Sequence, residues 1–323
     1  MLKIHNERWN FIAFPDPTAA FTAADVAAST PEIWADFVNE PNFPKAVFAN
    51  FFTDLSYLAD DGGDVIHVPN IYTNIFTAST QSTEGNGIID QSPAQVDVTL
   101  NIDTHKYVAY LFGKKTMKQL AKNLELNEKY AREAKNVLMV ALEDSLAALW
   151  SSLSTNVVGD TATTLSDAEV RDAINALDSL DYDMSETAFF VHPFVYWTQL
   201  SGIAKYYSQY ASNLNLIRTG NFGPADASRG LRGYLYDQPI YVTTRIVSGL
   251  QTYRNIFAHK SAFGYAIQTV NGEGNATGRI NVESDYLLQN LAMLTVADII
   301  YGVAVLREPA GVVLNANNTL KTS

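Results

Sequence analysis

The stretch NEKYAREAKNVLMVALEDSLAALWSSL, residues 127–153, predicts the longest element of the chain. Its apolar residues recur every three or four positions, as on one face of a helix: Ala131, Ala134, Leu138, Leu142, Leu146, Leu149 and Leu153. On the opposite face, Glu128 and Lys129 each stand four positions before an opposite charge, Arg132 and Glu133. No Gly or Pro interrupts the stretch. At about 1.5 Å per residue, the helix would be roughly 40 Å long, a spine across the whole molecule.

Upstream of this spine, two strands flank a long polar segment. Residues 96–103 alternate apolar and polar side chains, which predicts a strand with one solvated face. Residues 64–69, Asp-Val-Ile-His-Val-Pro, form a second short strand. Residues 70–95 between them are rich in Thr, Ser, Gln and Asn and carry two glycines. The pattern predicts an extended β-hairpin whose tip is too polar to be stable alone, so it should lie on a neighbouring molecule.

Downstream of the spine, the pattern becomes α/β. Ser166 and Glu169 have the spacing of a capping box and predict a helix start. Further segments read as strands by their apolar pattern and their bounding Gly and Pro residues: 188–192, two strands joined by a turn in 234–244, 262–269, 280–290 and 291–308. The Gly-rich stretch 271–278 lies between two of these strands and predicts a turn.

Composition favours a subunit that packs against copies of itself. Charged residues make up 17% of the chain, below the roughly 25% of ordinary globular proteins, and hydrophobic residues 47%. The net charge of −12 argues against nucleic-acid binding, which needs clustered cations. The absence of cysteine excludes disulfides, thiolate metal sites and a cysteine nucleophile. We see no targeting segment and no apolar run long enough to span a membrane.

The residues that carry catalytic or metal chemistry have no pattern typical of an active site. No two histidines have a metal-ligand spacing, and His192, which precedes a proline after a buried strand, is interpreted as structural. Asp181 and Asp183 could bind a cation or do acid–base work, but a turn is the commoner role. The stretch 272–278 lacks the ending of a phosphate loop, and Gly-x-Ser-x-Gly is absent. We therefore predict no enzyme activity, no catalytic residue, no cofactor and no metal.

The one dense basic cluster comprises Lys114, Lys115 and Lys118, just before the spine. It has two interpretations. It could be the solvated start of a helix, or it could pair with acidic groups of the hairpin segment, Glu84 and Asp90, on an adjacent subunit. The second interpretation makes these five residues the predicted intersubunit contact.

The order of these elements resembles that of the major capsid proteins of tailed bacteriophages. The segment 63–69, Gly-Asp-Val-Ile-His-Val-Pro, resembles the start of that family's extended hairpin, and 98–103 resembles its return strand. The segment 141–145, Ala-Leu-Glu-Asp-Ser, resembles the middle of its spine helix. The passage 230–244 resembles the approach to a central strand of its axial domain. The resemblance covers most of residues 30–310, and the order and spacing of the motifs carry it.

This resemblance implies an α+β fold, the tailed-phage major-capsid fold of the Hong-Kong-ninety-seven type. Such a fold has an N-terminal arm, an extended β-hairpin loop, a peripheral domain with the spine helix, and an axial α/β domain. The expected division of the chain is as follows: arm and first helices 1–60, hairpin loop 61–113, peripheral domain with the spine 114–155, axial domain 156–279, return strands of the peripheral domain 280–308, and C-terminal strand and tail 309–323.

The resemblance also implies a function. The chain would self-assemble, as pentamers and hexamers, into an icosahedral shell, first the prohead and then the mature head, around double-stranded DNA. Its other expected partners are a scaffolding protein, a portal and decoration proteins, with packaged DNA only in loose, non-specific proximity and no membrane. The scaffolding protein should be separate, because only about 30 residues precede the first predicted helix. The expected location is the virion capsid, after assembly in the cytoplasm of the host bacterium.

Two alternatives remain open. The first is a shell protein of an encapsulin-like cellular nanocompartment, which would share the fold but load an enzyme cargo. The second, from a different class, is a hydrolase with an α/β domain. The hydrolase is disfavoured by the missing nucleophile motif and by the long polar segment 70–95, which a compact enzyme does not need.

Overall fold

The computed structural model describes residues 46–60, 62–70, 91, 96–115, 125–200, 231–246, 249, 252–268 and 280–317. All of them belong to one compact unit, Asn42–Ser323. The predicted N-terminal arm with its first helix, the hairpin tip 71–90 and the Gly-rich turn 271–278 lie outside the described residues.

Four α-helices and thirteen strands make up the described chain. The helices are α1 Ser56–Ala59, α2 Glu125–Ala148, α3 Asp167–Asp178 and α4 Pro193–Thr198. The strands are β1 Thr53–Asp54, β2 Val65–Asn70, β3 Val96–Asn101, β4 Thr104–Gly113, β5 Val157–Val158, β6 Thr187–Val191, β7 Leu231–Leu235, β8 Gln238–Val242, β9 Thr252–His259, β10 Phe263–Gln268, β11 Asn281–Leu287, β12 Ala292–Val305 and β13 Gly311–Asn317.

The predicted spine is helix α2, which we call the spine helix. Its regular part has 24 residues, about 36 Å, and it ends before the predicted Leu153 because a 3₁₀ turn follows at Leu149–Ser152. Leu138, Leu142 and Leu146 are fully buried, so the predicted apolar face is the buried one. Trp150 in the 3₁₀ turn packs edge-on against Phe48, with 5.0 Å between ring centroids.

A buried carboxylate fixes the beginning of the described chain to the spine helix. Glu143, only 2% exposed, accepts the backbone N–H groups of Val47, Phe48 and Ala49 at 3.0, 3.0 and 2.8 Å. Burial raises the pKa of Glu143, and the three hydrogen bonds oppose that shift. The three donors supply the hydrogen bonds that a buried carboxylate requires.

Two larger sheets and a two-stranded hairpin organise the fold. In the five-stranded sheet, β1, β10, β12 and β11 follow one another, and β4 pairs with β12. Ile300 and Tyr301 pair with β10 on one side and with β4 on the other, so β4 flanks β12 on the side away from β10. The six-stranded sheet has the order β5-β13-β9-β6-β8-β7. Strands β2 and β3 form the base of the predicted hairpin.

Strand pairing crosses the boundaries of the predicted domains. Strand β10, assigned to the axial segment 156–279, pairs with β12 in the five-stranded sheet. Strand β13, in the predicted C-terminal segment 309–323, lies inside the six-stranded sheet between β5 and β9. The long strands β4 and β9 were not predicted. The division into peripheral and axial domains stays a prediction, and the chain connecting the two sheets crosses between them more than once.

The core has three clusters. The largest surrounds the spine helix and contains the aromatic residues Phe48, Phe52, Phe190 and Phe263. The second lies between α3 and the six-stranded sheet, and α3 starts with the predicted capping box of Ser166 and Glu169. The third holds the hairpin base. None of the helices in the described ranges has the length and apolar character needed to cross a membrane.

Candidate assembly surface

The base of the hairpin belongs to the subunit's own core. Ile66 of β2 opposes Leu100 of β3, and both are buried together with Ile102. These side chains pack against Leu55 and Leu306 from other parts of the same subunit. The alternate residues of β3 face solvent, as the sequence predicted. The hairpin is therefore rooted in its own subunit before it reaches residue 71.

A glycine lets the hairpin base approach the five-stranded sheet closely. A Cβ atom at Gly302 of β12 would lie 2.1 Å from the backbone oxygen of Asn101, at the end of β3. No side chain other than hydrogen fits there, because the obstacle is backbone and cannot rotate away. The sequence did not single out Gly302, since the contact joins positions distant in the chain. The close approach of Gly302 to Asn101 sets the position at which the hairpin leaves the five-stranded sheet.

The outer face of the five-stranded sheet exposes apolar side chains. On β4, Tyr107 is 69% and Leu111 48% exposed, and their cross-strand partners on β12 are Asp298 and Leu294. Between these pairs, Ala109 opposes Val296. We call Tyr107, Ala109, Leu111, Leu294 and Val296 the outer face. Carboxylates flank these side chains on β11, where Asp285 pairs with Leu294 and Glu283 with Val296.

The inner side chains of β4 turn toward the spine helix and leave a groove there. This groove has a volume of about 290 Å³ and an almost wholly apolar lining: Val108, Tyr110, Phe112, Tyr130, Glu133, Ala134 and Val137. Tyr130 is 47% and Val137 44% exposed at its rim. Burial raises the pKa of the Tyr110 hydroxyl.

The turn between β11 and β12 exposes two leucines beside the predicted basic cluster. Leu288 is 78% and Leu291 60% exposed, and Leu291 has a left-handed backbone with φ of 47°. The backbone N–H of Lys114 donates to the oxygen of Leu291 at 2.9 Å. The ammonium of Lys114 lies 5.9 Å from the ring centroid of Tyr286, within cation–π range.

The structure describes two of the five residues of the predicted intersubunit contact. Lys114 and Lys115 are exposed and follow β4 directly, while Lys118, Glu84 and Asp90 lie outside the described residues. The pairing of the lysines with acidic groups of a neighbour therefore stays a prediction. The aromatic partner of Lys114 had no signal in the sequence, because Tyr286 reaches it only through the folding of the sheet.

The residues considered for catalysis, His192, Asp181 and Asp183, make local hydrogen bonds and ring contacts or lie in turns. His192 accepts the N–H of Phe194 through Nδ1 at 3.2 Å and stacks on Tyr253 with 3.9 Å between ring centroids. Burial lowers the pKa of His192. Asp183 accepts the N–H of Ser185 at 2.9 Å, a hydrogen bond that lowers its pKa. Asp181 has a left-handed backbone with φ of 58°, typical of a turn.

One arrangement superficially resembles a catalytic triad. Ser261 Oγ lies 2.8 Å from His259 Nδ1, and Glu186 Oε2 lies 3.6 Å from His259 Nε2. The same Nδ1 accepts the backbone N–H of Ser261 at 3.1 Å, so its lone pair is already engaged by a local turn. In the part of the chain that the structure describes, no group of three His, Asp or Glu residues is placed to hold a metal ion.

Comparison with known proteins places the architecture. No protein-family profile matches the sequence, and no curated protein matches it. Solved structures do match. A structure of Mycobacterium phage Che8 has a TM-score of 0.67 and 20% identity, covering 88% of this chain and 96% of that one. The capsid structure of cyanophage P-SCSP1u has a TM-score of 0.65 and 12% identity, covering 91% and 95%.

An encapsulin structure also matches. The holo-SrpI encapsulin complex from Synechococcus elongatus PCC 7942 has a TM-score of 0.59 and 11% identity, covering 94% of this chain and 99% of that one. These structures share one α+β fold with this chain. The chain has the tailed-phage major-capsid fold of the Hong-Kong-ninety-seven type, which confirms the predicted fold class.

Proposed function

We propose that the chain is the major capsid protein of a tailed phage, which self-assembles into the icosahedral prohead and mature head around double-stranded DNA. The observation that carries this proposal is the extent of the fold: the likeness to phage capsid structures runs through about nine-tenths of the chain and nearly all of theirs.

The exposed apolar surfaces support assembly. The outer face and the leucines of the β11–β12 turn expose large apolar side chains on the single subunit. In a closed shell each such contact need only be weak, because a subunit leaves only when several contacts break together. We propose that copies of the chain cover these surfaces, and that the polar segment 70–95 lies across a neighbour. There Glu84 and Asp90 would face Lys114, Lys115 and Lys118.

The proposed role is structural and involves no catalytic step. Pentamers and hexamers of the chain would form the shell, with a scaffolding protein, a portal and decoration proteins as further partners, after assembly in the cytoplasm of a bacterial host. The net charge of −12 suits the wall of a DNA container, because it repels the phosphates and leaves DNA mobile. Single alanine substitutions at His192, Asp181 or Asp183 should abolish no enzyme activity. A hydrolase activity lost with one of them would contradict the structural role.

The test is assembly of the purified chain. Negative-stain microscopy and sedimentation should detect closed shells when the chain is produced with its scaffolding protein. Deleting residues 74–92 and closing the gap with a short Gly-containing turn should spare the subunit, because the hairpin base packs against the core of its own subunit and shortening a loop costs little. The same deletion should prevent stable shells. Shells of undiminished stability, or a deletion variant without a cooperative melt, would contradict the proposed role of the hairpin.

A second candidate is the shell of an encapsulin-like compartment, favoured by the likeness to the SrpI encapsulin complex. The two candidates differ in what the shell contains and in its vertices. Particles purified from the native source should contain DNA and a portal in the first case, and a protein cargo with twelve equivalent vertices of the icosahedron in the second. Nuclease treatment and mass spectrometry of the contents separate them.

A further inference from the structure

The chain crosses between its two sheets at three places that lie side by side. One crossing, residues 153–156, joins the end of the spine region to β5; the second, 259–262, joins β9 to β10; the third, 306–310, joins β12 to β13. The second and third are bonded directly, because the N–H groups of Leu306 and Arg307 donate to the oxygen of Ala262 at 2.9 and 3.1 Å. We call these three segments the crossover joint.

The carboxylate of Glu308, in the third crossing, connects that segment to the first crossing. Glu308 accepts the hydroxyl of Thr155 at 2.8 Å and the backbone N–H of Ser154 at 3.1 Å. The hydrogen bond from the Thr155 hydroxyl is the main reason why the pKa of Glu308 lies below its usual value. Asn156 donates its side-chain amide to the oxygen of Pro309 at 3.2 Å. The third crossing is therefore hydrogen-bonded to each of the other two.

One residue of the joint can change its hydrogen bonding with pH. His259 is only 8% exposed, and its Nδ1 accepts the backbone N–H of Ser261 at 3.1 Å. An N–H group aimed at Nδ1 requires a lone pair there, so the ring is neutral and carries its proton on Nε2, toward Glu186. A protonated imidazole is a donor at both nitrogens and cannot accept that bond. Protonation therefore breaks the backbone hydrogen bond from Ser261, and the new Nδ1–H faces the Ser261 hydroxyl oxygen, 2.8 Å away, as its acceptor.

The groups around the ring act in both directions. Burial is the largest influence and lowers the pKa of His259. Glu186 and Asp183, from the segment before β6, favour the charged ring, whereas Arg307 of the third crossing and Lys260 of its own segment oppose it. Tyr182 adds an aromatic neighbour, with 5.3 Å between ring centroids. The surroundings therefore favour the neutral, bonded state near neutral pH.

We propose that His259 makes the crossover joint acid-sensitive: the neutral ring holds the turn at 260–262, and protonation releases it and loosens the connection between the two sheets. The added proton occupies Nδ1 and displaces the Ser261 N–H, and Glu186 and Asp183 favour the charged ring. This device goes beyond the proposed function and does not depend on it, because it is a property of the single subunit.

The sign of the effect follows from the direction of the shift. The folded subunit holds a proton on His259 less tightly than the unfolded chain does, because the folded-state pKa is lowered. The bond therefore contributes fully at a pH above the ordinary histidine value of about 6.5. Its contribution is lost as the pH falls below that value.

Hydrogen–deuterium exchange measured by mass spectrometry tests the device. Exchange in peptides that cover 255–268 and 303–312 is followed from about pH 7.5 to about pH 5, the range in which histidine titrates, and corrected for intrinsic rates. We expect the joint to open roughly fivefold more often at the acid end, as the loss of one ordinary hydrogen bond requires. His259→Asn should abolish this step, because an Asn side chain accepts the N–H two residues on and does not titrate.

The matched control is His192→Asn, which changes a half-buried histidine that also accepts a backbone N–H, away from the joint. It should keep the acid step in the joint peptides. A step that persists in His259→Asn, or no step in the unaltered chain, would overturn the proposal. If His259→Asn does not fold, exchange of the C2 hydrogen of His259 in the unaltered subunit decides: a titration midpoint at or above about 6.5 overturns the proposal. These measurements use the dissociated subunit, so failure to form shells does not affect them.

Discussion

The two large sheets of this subunit differ in how completely they are covered. Strand β6 of the six-stranded sheet is buried along its whole length, and β13 along most of it. In the five-stranded sheet, β4 alternates half-buried with exposed residues, and β11 is exposed over most of its length. The strands compared differ in position, because β6 and β13 lie between two neighbours and β4 and β11 flank β12. We propose that a neighbouring subunit covers the exposed face of the five-stranded sheet.

The largest effect is expected where both sheets depend on the spine helix. Leu138→Asp places a charge at a site that is only 2% exposed, which should cost several kcal/mol and prevent folding. Soluble yield and circular dichroism measure it. Val137→Asp, one position away and 44% exposed, is the control and should fold. Folded Leu138→Asp subunits would show that the face is not buried as described.

The second largest effect is expected where the hairpin base contacts the five-stranded sheet. Gly302→Ala should destabilise the subunit by about 3 kcal/mol, because the new methyl group meets backbone that cannot move aside. Gly264→Ala is the matched control on the adjacent strand β10, where the nearest atom is the end of the flexible Leu306 side chain at 2.7 Å. It should cost clearly less. Urea unfolding of both variants gives the comparison, and equal costs would contradict the close contact between β3 and β12.

A smaller effect is expected at His192, which directly follows strand β6 of the six-stranded sheet. Burial lowers its pKa in the folded state, so its contribution to stability is complete above about pH 6.5 and is lost as the pH falls. The free energy of unfolding of the unaltered subunit should therefore decrease more steeply on acidification than that of His192→Asn. Chemical denaturation at a series of pH values measures the two slopes. Parallel slopes would mean that His192 titrates alike in both states.

The smallest effect on the subunit is expected at the outer face. We consider the double variant Tyr107→Ser, Leu111→Ser. Each substitution should alter the free energy of unfolding by no more than about 0.5 kcal/mol, because both side chains are already exposed. Assembly should nevertheless be weakened, which sedimentation would detect. A strong loss of subunit stability would mean that this face is covered within its own subunit. Normal assembly would remove the face from the contact surface.

The elements predicted correctly from sequence are those with strong local periodicity. The spine helix has an uninterrupted apolar face, the hairpin base alternates, and the helix α3 has its capping box. Strand β9 was missed because its second half is buried on both sides and its pattern does not alternate. The prediction ran on to residue 153 because the 3₁₀ turn at Leu149–Ser152 keeps the apolar spacing of a helix. The α-helix itself ends at Ala148.

The surface residues were less accessible to sequence reasoning. The lysines 114 and 115 were found from their density alone, but the contact of Lys114 with Tyr286 depends on a turn far along the chain. Gly302 was not singled out because the backbone of Asn101, which it approaches, is brought near only by the fold. Local patterns carry no record of such contacts.

The inner position of β13 has a consequence for the timing of synthesis. Because β13 pairs with β5 on one side and β9 on the other, a nascent chain on the ribosome cannot close the six-stranded sheet until residues 311–317 have emerged. Strand β9 therefore lacks its partner on that side until β13 follows it out of the ribosome. Pulse-labelled exchange would detect this order as late protection of the β9 amides.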